Sequence, residues 1–318
     1  MIIFDMSNIF FINLHASMRE TDDLDENGKK IKVFDPDACR YMILNTVRAV
    51  TSRYKGKYGE VVFAADDRHL WRKDFFKPYK SHRKADREAL THIDWTTVFE
   101  FFADFKKEVR TYTKYRVIEI DGAEGDDVIA TLAIRYSDQP NLIISTDKDF
   151  KQLQVYTDCV IYHPVDNKIV KAANPLLFLH EHIIRGDSGD GIPNILSEDT
   201  ALQDDTKRQV ALTEARMSFM LNVTVSDWDN ETELEKHFIK FNVKKDVIKE
   251  RETALFVLGK QQYLERNKPL IDLREVPEEI QDAIIDKYKE PIVKGPRSLF
   301  DYFYKYNLTK LMSSISDF

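Results

Sequence analysis

Three short apolar runs in this chain, at residues 1–4, 60–65 and 141–145, are each followed by aspartate: Asp5, the pair Asp66 and Asp67, and Asp147 with Asp149. Another acidic group, Glu124, Asp126 and Asp127, opens the periodic segment 123–136. Carboxylate oxygens are the hard ligands that magnesium and manganese prefer. Gathered in one place they repel one another, and a bound cation or a pKa shift has to relieve the repulsion. Two divalent ions about 3.5–4 Å apart clamp the attacking and leaving oxygens of a phosphodiester displacement. Each group also has a plainer reading. Acids in a first helical turn favour the macrodipole and often cap it, and Asp147 is placed to cap a helix starting near Lys148. Recurrence of aspartate after three separate strands favours convergence over coincidence.

Two further stretches point to a polyanion. Residues 68–87 carry Arg68, Arg72, Lys73, Lys77, Lys80, Arg83, Lys84 and Arg87 against only Asp74 and Asp86. Residues 180–195, HEHIIRGDSGDGIPNI, read as a helix followed by a turn. In that turn Gly186, Gly189 and Gly191 let backbone N–H groups approach a phosphate or a monovalent ion. By themselves Gly and Asp are ordinary turn residues, and a run of Lys and Arg is ordinarily a solvated face. An acidic metal site beside a basic stripe and a phosphate-cradling turn implies nucleic acid.

The elements that must position these groups follow from periodicity. The runs at 1–4, 60–65, 115–120 and 141–145 suit buried strands, and 155–170 suits further strand and turn. Helical spacing appears at 36–54, at 95–109 through Trp95, Val98, Phe99, Phe102, Phe105 and Val109, and at 123–136 through Val128, Ile129, Leu132 and Ala133. The aromatics of 95–109 read as a core face rather than a ligand platform. Polar residues 15–33 predict a loop or hairpin with an Asn-Gly turn at 27–28. From 206 onward helices are expected near 207–221, 244–262 and 277–289. Strands alternating with helices define an α/β fold with a mostly parallel central sheet, whose ligands bind beyond the carboxyl ends of the strands.

Composition narrows the class without choosing the chemistry. The chain has 318 residues, 43% hydrophobic and 32% charged, an ordinary globular balance with room for two domains. No apolar run approaches a membrane span, and the chain enters its first strand directly, so no signal or transit peptide is expected. Two cysteines, Cys39 and Cys159, make no disulfide framework and lack zinc spacing, which suits a reducing cytoplasm. The net charge of −7 argues weakly against a nucleic-acid partner, yet clustered carboxylates that hold cations would account for part of it.

Taken in order, FDMS at Asp5, AADD at Asp66, WRKDFFKPYKSHR at 71–83, AEGDDVIA at 123–130, STDKDF at 145–150 and GDSGDGIPNI at 186–195 resemble the flap endonuclease and 5′-exonuclease family, in particular its bacteriophage ribonuclease H branch. The carboxyl-terminal segment GPRSLFDYFYKYNLTKLMSSISDF extends the likeness over most of the chain. The resemblance implies a PIN-like nuclease core at 1–182 with an arch at about 78–112. It also implies a helical DNA-binding domain at 183–318 with a helix-hairpin-helix-like unit. It implies a 5′–3′ exonuclease, flap endonuclease and ribonuclease H acting in DNA replication by a two-metal mechanism, with two magnesium ions or manganese as substitute. Asp5, Asp66, Glu124, Asp126 and Asp147 match the first metal site. Asp149, Asp187 and Asp190 match the second, and Asp67 and Asp127 the outer shell. Arg72 and Lys80 match the catalytic cations that face the scissile phosphate. Tyr79, Arg83, Lys84, Arg87, Gly189 and Gly191 match nucleic-acid contacts, Tyr79 as a stacking aromatic. The implied partners are DNA and RNA–DNA hybrids with free 5′ ends or flaps, and a single-stranded-DNA-binding protein. The implied protein is a monomer without membrane contact, in the cytoplasm of a phage-infected bacterium.

Relatives often follow the Gly-Asp turn with a second Gly-rich hairpin and a Lys-Thr pair. Here residues 196–202 read LSEDTAL, which places two acids where a duplex phosphate is expected. With the first strand opening at Ile2, no leading extension for a replication-clamp contact is expected. Among rival classes, a phosphatase of the haloacid dehalogenase type needs an acid two residues after the first aspartate, and position 7 is Ser. A non-catalytic accessory protein of the same fold would be free to lose its carboxylates, and every one is kept. The aromatic group Phe300, Tyr302, Phe303, Tyr304 and Tyr306 reads as core.

Overall fold

The computed structural model of the chain describes every residue except 25–27, 29, 91–92, 204–206 and 293–297. The turn expected at 27–28 therefore lies partly outside the described residues. In chain order the elements are β1 (Ile2–Asp5), α1 (Met6–Ala16), β2 (Met18–Leu24), β3 (Lys30–Phe34), α2 (Pro36–Tyr58), β4 (Val61–Ala64), α3 (Trp71–Phe75), α4 (Arg83–Ala89), α5 (Trp95–Tyr112), β5 (Arg116–Ile118), α6 (Gly125–Arg135), β6 (Leu142–Ile144), β7 (Val160–His163) and β8 (Lys168–Val170). They continue as α7 (Pro175–Arg185), α8 (Glu214–Asn222), α9 (Glu231–Lys240), α10 (Asp246–Gln262), α11 (Lys268–Ile271), α12 (Glu278–Lys289), α13 (Leu299–Lys305) and α14 (Thr309–Met312).

The chain forms two compact units that interleave along the sequence. The first comprises Met1–Leu70, Lys84–Lys171 and Pro277–Phe318, and the second Trp71–Arg83 and Ala172–Val276. These spatial units are not coextensive with a division at 182, because the last 42 residues, Pro277–Phe318, belong with the first.

The first unit is built on a six-stranded sheet of order β5-β4-β1-β6-β7-β8, in which only β8 is antiparallel. β1 lies in the middle, with Ile2 in register with Val61 on one side and Leu142 on the other. The connection from β1 leads outward to β4 and β5, and the next strand, β6, returns to the opposite side of β1. That reversal opens a crevice at the carboxyl ends of β1, β4 and β6. One sheet face, with Ile2, Phe4, Val61 and Phe63, packs on Phe10, Val47, Phe101, Phe105, Tyr302 and Phe303 from α1, α2, α5 and α13. The other face is covered by α6, whose Val128, Ile129 and Leu132 are fully buried.

α1, which periodicity did not announce, forms because Asp5 caps it by accepting a hydrogen bond from the Asn8 N–H at 3.0 Å, while Ile9, Phe10 and Leu14 bury one side. The polar stretch 15–33 contains an antiparallel hairpin of β2 and β3. The helix expected from Lys148 is instead a 3-10 turn, Asp149–Val155. Of the carboxyl-terminal aromatics, Tyr302 and Phe303 are buried, whereas Phe300 and Tyr304 are 57% and 76% exposed. The reading of that group as core holds for one side of α13 only.

A buried ion pair ties this tail to the core. Arg40 of α2 donates to both oxygens of Glu108 of α5, at 3.0 and 3.2 Å, and Tyr302 of α13 donates to Glu108 at 2.7 Å. The Arg40 guanidinium also lies 3.9 Å from the Tyr306 ring centroid.

The second unit is helical around Trp228, Tyr263, Phe219 and Phe256. α10 and α12 match the expected segments at 244–262 and 277–289, α12 lying in the first unit. The segment expected to be helical from 207 is not helical until Glu214. Its early residues serve another purpose: Asn194 donates from its backbone N to Gln209 and from its side chain to the Val210 carbonyl, at 2.7 and 2.9 Å. Val210 in turn donates to the Ser197 hydroxyl at 2.8 Å. These tertiary hydrogen bonds outweigh helix propensity, which is a weak prior. No helix among the described residues is long and apolar enough to cross a membrane.

Candidate metal centre and glycine-rich turn

In the first unit the strand-end acids converge as the topology requires. Asp5 is 6% exposed and sits at the end of the central strand, accepting from Asn8 N and, at 2.8 Å, from the Ser145 hydroxyl. Burial, reinforced by the charges of Asp66 and Asp147, pushes its carboxyl up to about 7. Asp66, just past β4, accepts from the Ser7 hydroxyl and from the Gly125 N–H, each at 2.6 Å. The second of these joins the carboxylate to the amino end of α6. A Cβ on Gly125 would lie 3.2 Å from Asp66 Oδ1 and 3.4 Å from the Ala64 carbonyl, so this approach leaves little room for a larger residue.

Glu124 occupies the cap position of α6 and is 4% exposed, and Asp126 in the first turn is half-buried. Asp127 is fully buried and accepts from the Glu124 backbone N at 2.9 Å, so it shapes the helix start. Asp147 is half-buried and accepts from Asp149 N at 2.8 Å, while its own N–H donates to the Ser145 hydroxyl at 3.0 Å. Asp67 accepts from His69 N at 3.0 Å; burial opposes its ionisation, but N–H groups of His69, Arg68 and Gly122 hold it below the usual carboxylate range. It is a turn-forming acid.

Four residues without a role in the motif reading hold this cluster in place. Ser145 bridges Asp5 and Asp147, and Ser7 fixes Asp66. Asn8 and Thr146 exchange hydrogen bonds of 2.8 and 3.0 Å, joining α1 to the end of β6. For Ser7, Ser145 and Thr146 the signal lay in the tetrapeptides FDMS and STDK, where small hydroxyl residues stand within two positions of each aspartate; Asn8 carried none. The Ser7 and Ser145 hydroxyls and the Asn8 and Gly125 N–H groups serve carboxylate oxygens of Asp5 and Asp66, and the charges acting on Asp5 are negative. An oxygen-rich set of this kind fits a hard divalent cation.

In the second unit the glycine-rich turn and residues 71–83 of the basic stripe are one structure. Asp187 caps the turn and lies 3.6 Å from His182, a neighbour the motif reading did not single out. Gly186 and Gly191 both have positive φ, and a Cβ on Gly191 would lie 2.7 Å from the Pro78 carbonyl. Only glycine permits that contact. Lys80, itself at φ 53, donates its N–H to the Asp190 carbonyl at 2.8 Å. The Asp190 carboxylate accepts from Tyr79 at 3.2 Å and Arg83 at 2.5 Å, with the Lys80 ammonium at 3.5 Å. Asp190 is thus held by two cations. Tyr79 is 3% exposed, and the Lys80 ammonium sits 4.8 Å from its ring centroid, so its face is covered as placed here. Arg72 is 2% exposed and donates to the Leu270 carbonyl at 3.1 Å. Lys84 and Arg87 lie on α4, whose residues are all at least partly exposed; Lys84 pairs loosely with Glu88 at 3.8 Å.

A parallel sheet with acids at its switch point, followed by a helical unit, defines a nuclease of the resolvase-like class. Residues 1–176 match the family of 5′-3′ exonuclease N-terminal resolvase-like domains, and residues 191–318 match the phage T4 RNase H carboxyl-terminal domain. The chain belongs to the 5′-3′ exonuclease family. It is 29% identical over 287 residues to ribonuclease H of Enterobacteria phage T4, covering 88% of this chain and 86% of that protein. A 5′-3′ exonuclease of Buchnera aphidicola is 28% identical over 170 residues, covering 50% of this chain and 56% of that one. The fold is shared with phage T5 5′-exonuclease bearing zinc, at TM-score 0.53 and 17% identity over 91% of this chain and 98% of that one. A phage T5 flap endonuclease solved with DNA and metal ions superposes likewise, at TM-score 0.53 and 14% identity over 91% and 97%.

Proposed function

We propose that this chain is a magnesium-dependent 5′–3′ exonuclease and flap endonuclease with ribonuclease H activity, acting on DNA and RNA–DNA hybrids that present a free 5′ end. The observation that carries the reading is the convergence of Asp5, Asp66 and Asp147 on the carboxyl ends of β1, β4 and β6, with Asp5 buried among like charges and the start of α6, at Glu124 and Gly125, held to Asp66. Asp5, Asp66, Glu124, Asp126 and Asp147 would hold the first ion. The assignment of Asp149, Asp187 and Asp190 to a second rests on the family pattern. When bound, divalent ions supply a hydroxide-like nucleophile and stabilise charge on the phosphoryl oxygens. Ser145, Ser7 and Asn8 keep the carboxylates oriented, and the turn at Gly189 and Gly191 meets duplex phosphate. The functional division is a nuclease core at 1–182 and a DNA-binding region at 183–318. The chain works as a monomer in the infected host cytoplasm, beside a single-stranded-DNA-binding protein. Incubating a labelled 5′-flap duplex with the protein in magnesium and in EDTA tests the reading. Binding without cleavage in magnesium would favour the accessory-protein alternative.

Metal and pH act together on stability. The raised pKa of Asp5 means that the folded apo-protein prefers the protonated acid. Its stabilising contribution is full below the unfolded value of 3.8 and is lost as pH rises through about 7. A divalent ion reverses the penalty by binding the charged form, and stabilises the fold by mass action. Magnesium should therefore raise the melting temperature, and by more at pH 8 than at pH 6. Equal increments at the two pH values would remove Asp5 from the ion's ligands.

Lys80 and Lys84 should differ. Lys80, with its side chain 11% exposed and its backbone fixed to the Gly-Asp turn, is preorganised to stabilise developing phosphoryl charge. Lys84, with its side chain 80% exposed, is placed to guide a strand. Lys80→Ala is expected to slow single-turnover cleavage about a hundredfold with modest loss of affinity. Lys84→Ala should weaken binding and lower the salt slope by about one counterion. If both variants lose affinity alone, Lys80 has no part in the chemistry.

A further inference from the structure

The acids Glu198 and Asp199, which sit where a duplex phosphate is expected, each face a cation. Glu198 lies 3.9 Å from Lys207, and Asp199 accepts a 2.7 Å hydrogen bond from Arg266. Arg266 does more than pair with an acid. It is 4% exposed and belongs to a π-helical turn, Tyr263–Asn267, a departure from α-helix that is frequent at functional positions. Its guanidinium donates to the backbone carbonyls of Pro193, Asn194 and Ser197 at 3.1, 2.9 and 3.0 Å. The remaining N–H donates to Asn267 Oδ1 at 2.7 Å, so all of the donors of the fork are used. Asn267 adds hydrogen bonds to the carbonyls of Ile183 and Pro193, at 2.8 and 2.9 Å.

Three main-chain carbonyls and a carboxylate aimed at one point form a cradle for a cation. Rings of backbone carbonyls bind monovalent ions by replacing their hydration shell. Here the cradle already contains a permanent, planar cation that matches it hydrogen bond for hydrogen bond. We propose that Arg266 is the resident cation of the turn spanning residues 193–199. It fixes that backbone so that the turn holds duplex phosphate without a bound monovalent ion. The inference rests on the reading above, in which the turn at Gly189 and Gly191 meets the duplex, and adds how the segment that follows it is shaped to extend that contact. Arg266 is a positioning residue: it reaches the nucleic acid only through the backbone it orders.

The test begins with the wild-type protein, in chelator, binding a fluorescent 5′-flap duplex in potassium, sodium or tetramethylammonium chloride at equal ionic strength. Resident-cation binding predicts affinities within about threefold of one another, since counterion release is common to all three salts. A larger loss in tetramethylammonium, which is too big for a carbonyl cradle, would overturn the proposal. Arg266→Met, checked for a native melting transition, is expected to bind the duplex at least about tenfold more weakly, since it leaves buried acceptors unsatisfied. Millimolar guanidinium should restore part of that affinity. In magnesium the same variant should raise KM while leaving kcat near wild type. A folded Arg266→Met that binds as tightly as wild type, or one that loses kcat alone, would sink the proposal. Should the variant not fold, the salt series on the wild type decides alone. Failure of the nuclease reading is separately visible as duplex binding without cleavage in magnesium.

Discussion

Asp147→Asn is expected to lower turnover about a thousandfold or more, because several kcal/mol of transition-state stabilisation depend on each ion being held, and each 1.4 kcal/mol is a factor of ten. The substitution is nearly silent for the fold. Asn retains an oxygen that accepts the 2.8 Å hydrogen bond from Asp149 N, and the Asp147 N–H to Ser145 hydrogen bond belongs to the backbone. Duplex affinity should stay close to wild type, since phosphate contacts from lysine and arginine dominate it. Removing this charge also removes one of the repulsions that raise the Asp5 pKa. The apo-variant should then melt slightly higher than the wild type at pH 8, the reverse of what a damaged fold would show. Single-turnover rates at saturating magnesium, with melting curves in EDTA, check both halves. Near-normal cleavage would take Asp147 out of the metal site, and a lower apo melting temperature would make the turnover loss a folding defect.

Glu108→Ala is expected to cost about 3–5 kcal/mol of stability, the usual penalty for stranding one member of a buried ion pair. Arg40 and Glu108 side chains are only 7% and 8% exposed, so neither is rescued by water. The loss falls on three elements at once, because Glu108 also receives the Tyr302 hydroxyl that pins α13 to α5. Burial and the adjacent Glu108 keep the Tyr302 phenol well above its ordinary pKa, so it stays protonated and donates. Tyr302→Phe removes that one hydrogen bond and should cost about 1 kcal/mol. For a domain of this size the Glu108→Ala shift corresponds to roughly 10 °C in Tm. Thermal unfolding in a fixed magnesium concentration measures it. A drop no larger than that of Tyr302→Phe would mean that the existing pair of Arg40 with exposed Asp37, at 2.7 Å, suffices to hold it.

The placement of the strand-end acids was legible in the sequence because each is tied to a strand. A period-two or fully apolar run ending in aspartate puts that carboxylate at a sheet edge whichever way the rest of the chain folds, so Asp5, Asp66 and Asp147 were readable one strand at a time. The helical spacings at α5, α6, α10 and α12 were readable for the same reason: a local period reports a local structure.

What stayed hidden was whatever depends on partners far apart in the chain. Asp126 and Asp127 are neighbours of one type, yet packing buries Asp127 fully and leaves Asp126 half-exposed. Residues 207–213 carry a helical pattern but are not helical, because Asn194 and Ser197 offer hydrogen bonds that a helix would forgo. Asp190 carries nothing in its local sequence to predict that Tyr79, Lys80 and Arg83, more than 100 positions away, would take both its oxygens. The acids at 198 and 199 looked hostile to phosphate until Arg266, which no motif marks, was found facing the turn. Periodicity constrains one element at a time. Charge compensation and hydrogen-bond satisfaction are settled between elements, so only the folded chain could decide them.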